Sequence, residues 1–394
     1  GLLSSAGQEI LLQLAGEEQP LGHSRVLLLE ESKQSFTFEN IMERPVPSLL
    51  RGFSAPVKLD YPWSKPDLAM LMAHDSDEFM KWEAAQLLAQ QEILANVDCR
   101  ADGSGMSVSK ELVNAFGILL ADQRSDSALV AEAMTLPGED YLAESMDTVD
   151  VDGIHAARKF VKSAIANELE QAFRARYKEL GSSEPYDKSS ASMARRSLRN
   201  VCLSFLLETE TGAALAEQQL AMSDNMTDTL AALQGLVWNQ APGADAALNL
   251  FEERWRDDEL VMDKWFSMQA AIPGAQAVDT VRDLLDHPGF SIRNPNKVRS
   301  LIGVFSMGNP TGFHTASGAG YRLHAEQVIA LDKLNPQVAA RMAAAFNSWT
   351  RYDQDRRGKM NIELSRIAGT EGLSPDVSEI VNSALSMENK NRQS

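Results

Sequence analysis

Two periodicities divide the chain near residue 62. Before it, apolar positions come in short runs broken by turn residues, with the two-residue repeat of extended chain. Residues 8–14 and 25–29 are apolar runs on either side of a polar turn containing Gly16 and Pro20. Residues 34–38 place Phe36 and Phe38 on one face, and Val57, Leu59 and Tyr61 alternate with Lys58 and Asp60. Pro45, Pro47 and Pro56 keep the connection between them extended, because proline fixes φ and has no N–H to give a helix. Four short strands bury little by themselves, so residues 1–62 read as a partial, Ig-like β-sandwich.

Beyond residue 62 the spacing becomes helical. Leu198, Val201, Cys202 and Phe205 fall at i, i+3, i+4 and i+7, and Met226, Leu230, Leu233 and Val237 make a similar stripe behind the capping candidates Asp224 and Asn225. Gly181-Ser182-Ser183, Pro242-Gly243, Pro273-Gly274, His287-Pro288-Gly289 and Gly318-Ala319-Gly320 punctuate the helical stretches. The pattern predicts roughly fifteen helices joined by short connections. Residues 63–394 are therefore expected to form an irregular helical array, an α-α superhelix with no strict repeat signature, making the fold mainly α.

Composition narrows the function. At 394 residues with 44% hydrophobic and 23% charged positions the chain is ordinary globular protein. Its 55 acidic against 37 basic side chains give a net charge of −18, a field that repels phosphate backbones, so no nucleic-acid partner is expected. No apolar run approaches the ~20 residues of a membrane span, and Gly1-Leu2-Leu3-Ser4 lacks the basic start of a signal peptide. The expectation is a cytoplasmic protein without a membrane partner.

The usual catalytic constellations are missing. Its six histidines form no H-E-x-x-H pair, and the chain has no G-x-S-x-G elbow, Walker sequence or dinucleotide fingerprint. Asp150-Val151-Asp152-Gly153 looks like the start of a calcium loop, but its twelfth position, counted from Thr148, is Lys159; helix capping is the better reading. Cys202 lies on an apolar stripe and reads as core, while Cys99 is expected in a polar loop. One stretch departs from the acidic background: from His287 to Val304 there are three bases, Arg293, Lys297 and Arg299, and no acid. Asn294-Pro295 predicts a capped helix start with Arg299 one turn in, and Asn335-Pro336 repeats the device with Gln337 and Arg341 at i and i+4. Guanidinium groups at such helix starts suit carboxylates and peptide carbonyls.

These segments carry a resemblance. Phe53-Ser54-Ala55-Pro56-Val57-Lys58-Leu59-Asp60-Tyr61, Leu260-Val261-Met262-Asp263-Lys264-Trp265-Phe266, residues 294–303 and Asn335-Pro336-Gln337-Val338 resemble, in order, the C-terminal portion of the bacterial aminopeptidase N family. Those are alanyl aminopeptidases of the gluzincin zinc-metallopeptidase class. The resemblance implies a parent enzyme that removes N-terminal residues from peptides. Its zinc-binding H-E-x-x-H and its G-A-M-E-N segment would lie upstream, in a catalytic domain that would be this chain's intramolecular partner. It further implies no catalytic residue and no bound zinc here, and no activity of this chain alone. Arg299, Gln337 and Arg341 match residues that contact peptide substrates on the leaving-group side of a closed chamber. The residues alone equally allow a stand-alone helical scaffold that grips a peptide or protein.

Overall fold

The computed structural model describes residues 1–182 and 185–391, so the break marked by Ser183 and the last three positions of the expected helical domain lie outside the described residues. The N-terminal segment has one two-stranded ladder, Leu2–Leu3 antiparallel to Val46–Pro47, with isolated bridges from Leu3 to Glu9 and from Leu14 to Phe38. Leu2, Leu3, Leu12 and Val46 are buried, but Val26, Leu28 and Leu29 are exposed and residues 57–61 pair with nothing regular. Two of the four expected strands thus meet only at the Leu14–Phe38 bridge, and the other two stay irregular. Alternation supplies a face for a strand but no partner edge, and a strand without its ladder does not persist.

The remainder is helical, with twenty α-helical segments among the described residues. The excess over the expected number comes from short pieces such as Pro295–Val298, Val304–Gly308 and Pro310–Phe313. Local chemistry explains the boundaries. Ser64 and Asp67 exchange hydrogen bonds in a capping box at the start of Lys65–His74. Asp150 accepts from the Gly153 amide at 2.9 Å at the head of Val151–Glu168, so the calcium-like run is a cap. Asn225 does the same for the Asp228 amide. Cys99 sits within the Glu78–Asp102 helix, whose stop is Gly103 at φ 79, one turn later than the expected loop.

Packing divides the chain into two compact units. The first comprises residues 1–137, 157–212 and 224–228; the second comprises 138–156, 213–223 and 229–394. The texture change near residue 62 is no gap in packing, since the N-terminal segment shares the first unit with the following helices. There Trp63 donates its indole N–H to the Pro47 carbonyl, and Arg44 pairs with Asp67. The first unit is centred on Phe116, Phe173 and Phe205, the last two stacked with centroids 4.7 Å apart. Cys202 is buried on the same helix as Phe205, and burial pushes its thiol up to about 12, so it is core and not a nucleophile. The second unit is built on Phe313, whose ring meets Phe305, Tyr321, His324 and Phe346.

Candidate functional site

Both Asn-Pro devices fold as expected, in the second unit. Asn294 accepts from the Asn296 amide at 2.9 Å and Asn335 from the Val338 amide at 3.2 Å, each with proline in the first turn. The first helix does not continue regularly. After Pro295–Val298 the chain makes a π turn, Arg299–Gly303, in which the Val304 amide reaches back to the Arg299 carbonyl, and then resumes as Val304–Gly308. Such single-turn bulges carry one residue more than an α turn and are frequent at functional sites.

Three of the bases and one amide then separate by role. Lys297 is buried, 2.8 Å from Asp263 and 2.9 Å from the Glu259 carbonyl, with its ammonium 5.6 Å from the Phe266 ring centre. Asp263 neutralises it inside the fold. Arg299 is exposed and donates from Nη1 to Asn296 Oδ1 at 2.9 Å, a bond within its own turn that orients the guanidinium. Gln337 and Arg341 are exposed on one face of Pro336–Ala343, and neither side chain is engaged among the described residues. The opposite face, Val338, Ala339, Met342 and Ala343, is buried.

The elements that carry these groups touch. A Cβ placed on Gly303 would stand 3.7 Å from Met342 Sδ, so the π turn of Arg299 packs directly against the helix of Arg341. That helix is pinned from beneath: His324, fully buried, lies 2.9 Å through Nε2 from the Met342 carbonyl. Burial drives the His324 pKa down to about 4, so the ring is neutral at pH 7 and its Nε2–H is the donor. Two exposed guanidinium groups and an amide thus stand on adjoining, capped elements, a placement suited to binding carboxylate or carbonyl oxygens.

A zinc centre is another matter. Among the described residues no group of three or more His, Cys, Asp or Glu side chains is arranged to hold a metal ion. Four of the histidines have protein contacts of their own: His155 with Glu139, His287 with Glu252, His314 with Tyr321 and His324 with Met342. The described side chains offer no zinc site.

An Ig-like segment followed by ARM-type helical repeats is the class these features define. Residues 65–386 match the family described as a domain of unknown function with ARM repeats, DUF3458_C, and residues 1–62 match its companion with an Ig-like fold, DUF3458. The chain belongs to this family, and it is homologous to the C-terminal part of bacterial aminopeptidase N. It is 40% identical over 386 residues to aminopeptidase N of Escherichia coli K12, covering 98% of this chain and 44% of that protein. It is 39% identical over 375 residues to aminopeptidase N of Haemophilus influenzae, covering 94% and 43%. Among solved structures, that of Legionella pneumophila aminopeptidase A in complex with aspartic acid superposes with a TM-score of 0.85 at 32% identity, over 98% of this chain and 45% of that one. The chain spans less than half the length of these relatives. No described helix is long and apolar enough to cross a membrane.

Proposed function

We propose that this chain works as the C-terminal part of a zinc aminopeptidase that removes N-terminal residues from peptides, where it closes the chamber and holds the substrate beyond the cleaved bond. Arg299, Gln337 and Arg341 bind the backbone carbonyls and terminal carboxylate of the leaving peptide; they orient it and transfer no proton. Zinc, for which the described side chains provide no site, belongs to the catalytic domain of the parent protein. The observation that carries this reading is the contrast among the bases. Lys297 is spent on Asp263, while Arg299 and Arg341 are left exposed on two elements that touch and that are fixed by caps.

The test uses the full-length parent enzyme with Arg299→Ala and Arg341→Ala. A charge-assisted hydrogen bond to a carboxylate is strong enough that kcat/KM for tri- and tetrapeptides should fall roughly tenfold or more per substitution. An alanyl anilide has no peptide on the leaving side, so its kcat/KM should hardly move. Equal loss on both substrates would refute the assigned contacts. Unchanged kinetics on both would favour the scaffold reading, which the match to ARM repeats also supports.

A further inference from the structure

The second unit contains a recess of about 230 Å³ to whose lining the preceding reading assigns nothing. It lies between the chain around Glu139 and Ile154, the end of Val304–Gly308 with Pro310, and the segment from Ala344 to Tyr352. Its wall is apolar along Val149, Ile154, Met307 and Pro310. The charged side chains on the lining are both acidic, Glu139 and Asp140, and neither Lys nor Arg lines it. Two cations beside the lining are engaged elsewhere. Arg351 donates to the Ala143 and Met146 carbonyls, and Arg356 pairs with Asp152 and Asp353.

Two rings complete the recess. Tyr352 stacks on His314 with centroids 4.2 Å apart, and His314 Nδ1 lies 2.9 Å from the Tyr321 hydroxyl. His314 is only 6% exposed, and its Nε2 has no protein partner among the described residues. Burial, helped by the Arg356 cation, lowers its pKa to about 3, so it brings no positive charge. Of the Glu139 carboxylate, Oε1 is held by His155 at 2.7 Å, and Oε2 is unengaged among the described residues. An apolar wall, an aromatic face, a neutral nitrogen and two acidic side chains together describe the complement of an alkylammonium ion. A volume of about 230 Å³ suits a small amine better than a drug-sized ligand.

We propose that this recess binds a primary ammonium group on a short apolar stem. The ammonium sits by Glu139 and Asp140 with His314 Nε2 as a neutral acceptor, in the tautomer whose Nδ1–H donates to the Tyr321 hydroxyl, and the stem lies along Met307 and Pro310. The ammonium comes either from a free small amine or from the lysine side chain of a peptide, and the chemistry recognised is the same.

The experiment titrates the whole chain, with methionine methyl groups labelled with carbon-13, with pentylammonium, 1-pentanol and pentanoate. Pentylammonium is expected to bind with a Kd on the order of millimolar, as six heavy atoms allow, and to shift the Met307 methyl resonance. Pentanol and pentanoate should bind at least about tenfold more weakly. Asp140→Asn, at an exposed position, and Glu139→Gln should each weaken pentylammonium several-fold and leave pentanol unaffected. Equal binding of amine and alcohol, or no Met307 shift with saturating amine, overturns the proposal. Acetyl-lysine methylamide, with its ε-ammonium free, separates the sources: binding as tight as pentylammonium identifies a lysine side chain, and markedly weaker binding identifies a free amine.

Discussion

Two positions apart, in the short helix Pro295–Val298 and at the start of the π turn that follows it, Lys297 directs its ammonium at Asp263 while Arg299 keeps its guanidinium in solvent. Their substitutions should therefore separate stability from binding. Lys297→Ala leaves the Asp263 carboxylate without its cation in a site where it is only 19% exposed, and should cost about 3 kcal/mol in urea unfolding. Arg299→Ala should change stability by less than about 0.5 kcal/mol, as exposed positions do. The reverse ranking would contradict the division of roles drawn from the structure. Sequence identified the caps at Asn294 and Asn335 because a cap needs only its own neighbours. It gave no hint of the burial of Lys297, because the partner that decides its fate lies on another helix, and charge counting within one window cannot see it. Glu139, His314 and Tyr352 gave no signal either, being far apart in the chain and ordinary in isolation.

Helix existence was readable from the 3.6-residue period, and the stripe of Leu198, Cys202 and Phe205 is buried as expected. What the period does not encode is how closely backbones approach. At Gly320, on Ala319–Asp332, a Cβ would stand 2.3 Å from the Phe313 carbonyl oxygen and 2.9 Å from that of Gly312. Both obstacles are backbone and neither can rotate away. Gly320→Ala should destabilise the protein by about 2–3 kcal/mol in spite of alanine's better helix propensity, and a stabilised variant by thermal unfolding would show the contact to be wrong. In the sequence this glycine was read as a separator between helices; it lies in the first turn of one. The π turn was equally invisible, since R-S-L-I-G reads as ordinary helix. The strands failed for the opposite reason: the apolar run at residues 25–29 and the alternation at 57–61 were real, but no ladder receives them.

On the scale of the whole molecule, resemblance in four segments anticipated a homology that runs over nearly the full chain. The way the units are assembled was beyond reach, because contacts and not composition define them. Their pH response follows from two histidines of the second unit. His314 and His324 are neutral when folded, with pKa values lowered to about 3 and about 4, and they regain an ordinary value near 6.5 when unfolded. Below about pH 6.5 the unfolded chain takes up protons that the folded chain refuses. Stability is therefore full above that value and falls as the pH drops toward 4, by up to about 1.4 kcal/mol per pH unit for each histidine. The charge of −18 acts the other way as carboxylates are neutralised, but chiefly nearer their own pKa values. Urea midpoints at pH 7 and 5.5 should show the lower value at 5.5, and a flat profile would mean these rings are not buried as described.

The second unit is also discontinuous along the chain. Its residues 138–156 are followed by a long stretch of the other unit before the remainder arrives. Arg351 closes that interval by donating to the Ala143 carbonyl, 208 positions earlier, and Val149 forms a parallel bridge with Tyr352. Scissors applied anywhere between Ala156 and Thr229 would yield no autonomous half. A fragment taken downstream of such a cut would carry a guanidinium whose acceptors were left on the discarded piece, together with an open-sided recess. During synthesis, too, the early loop must wait for its mate to be translated, so this part of the molecule completes itself late.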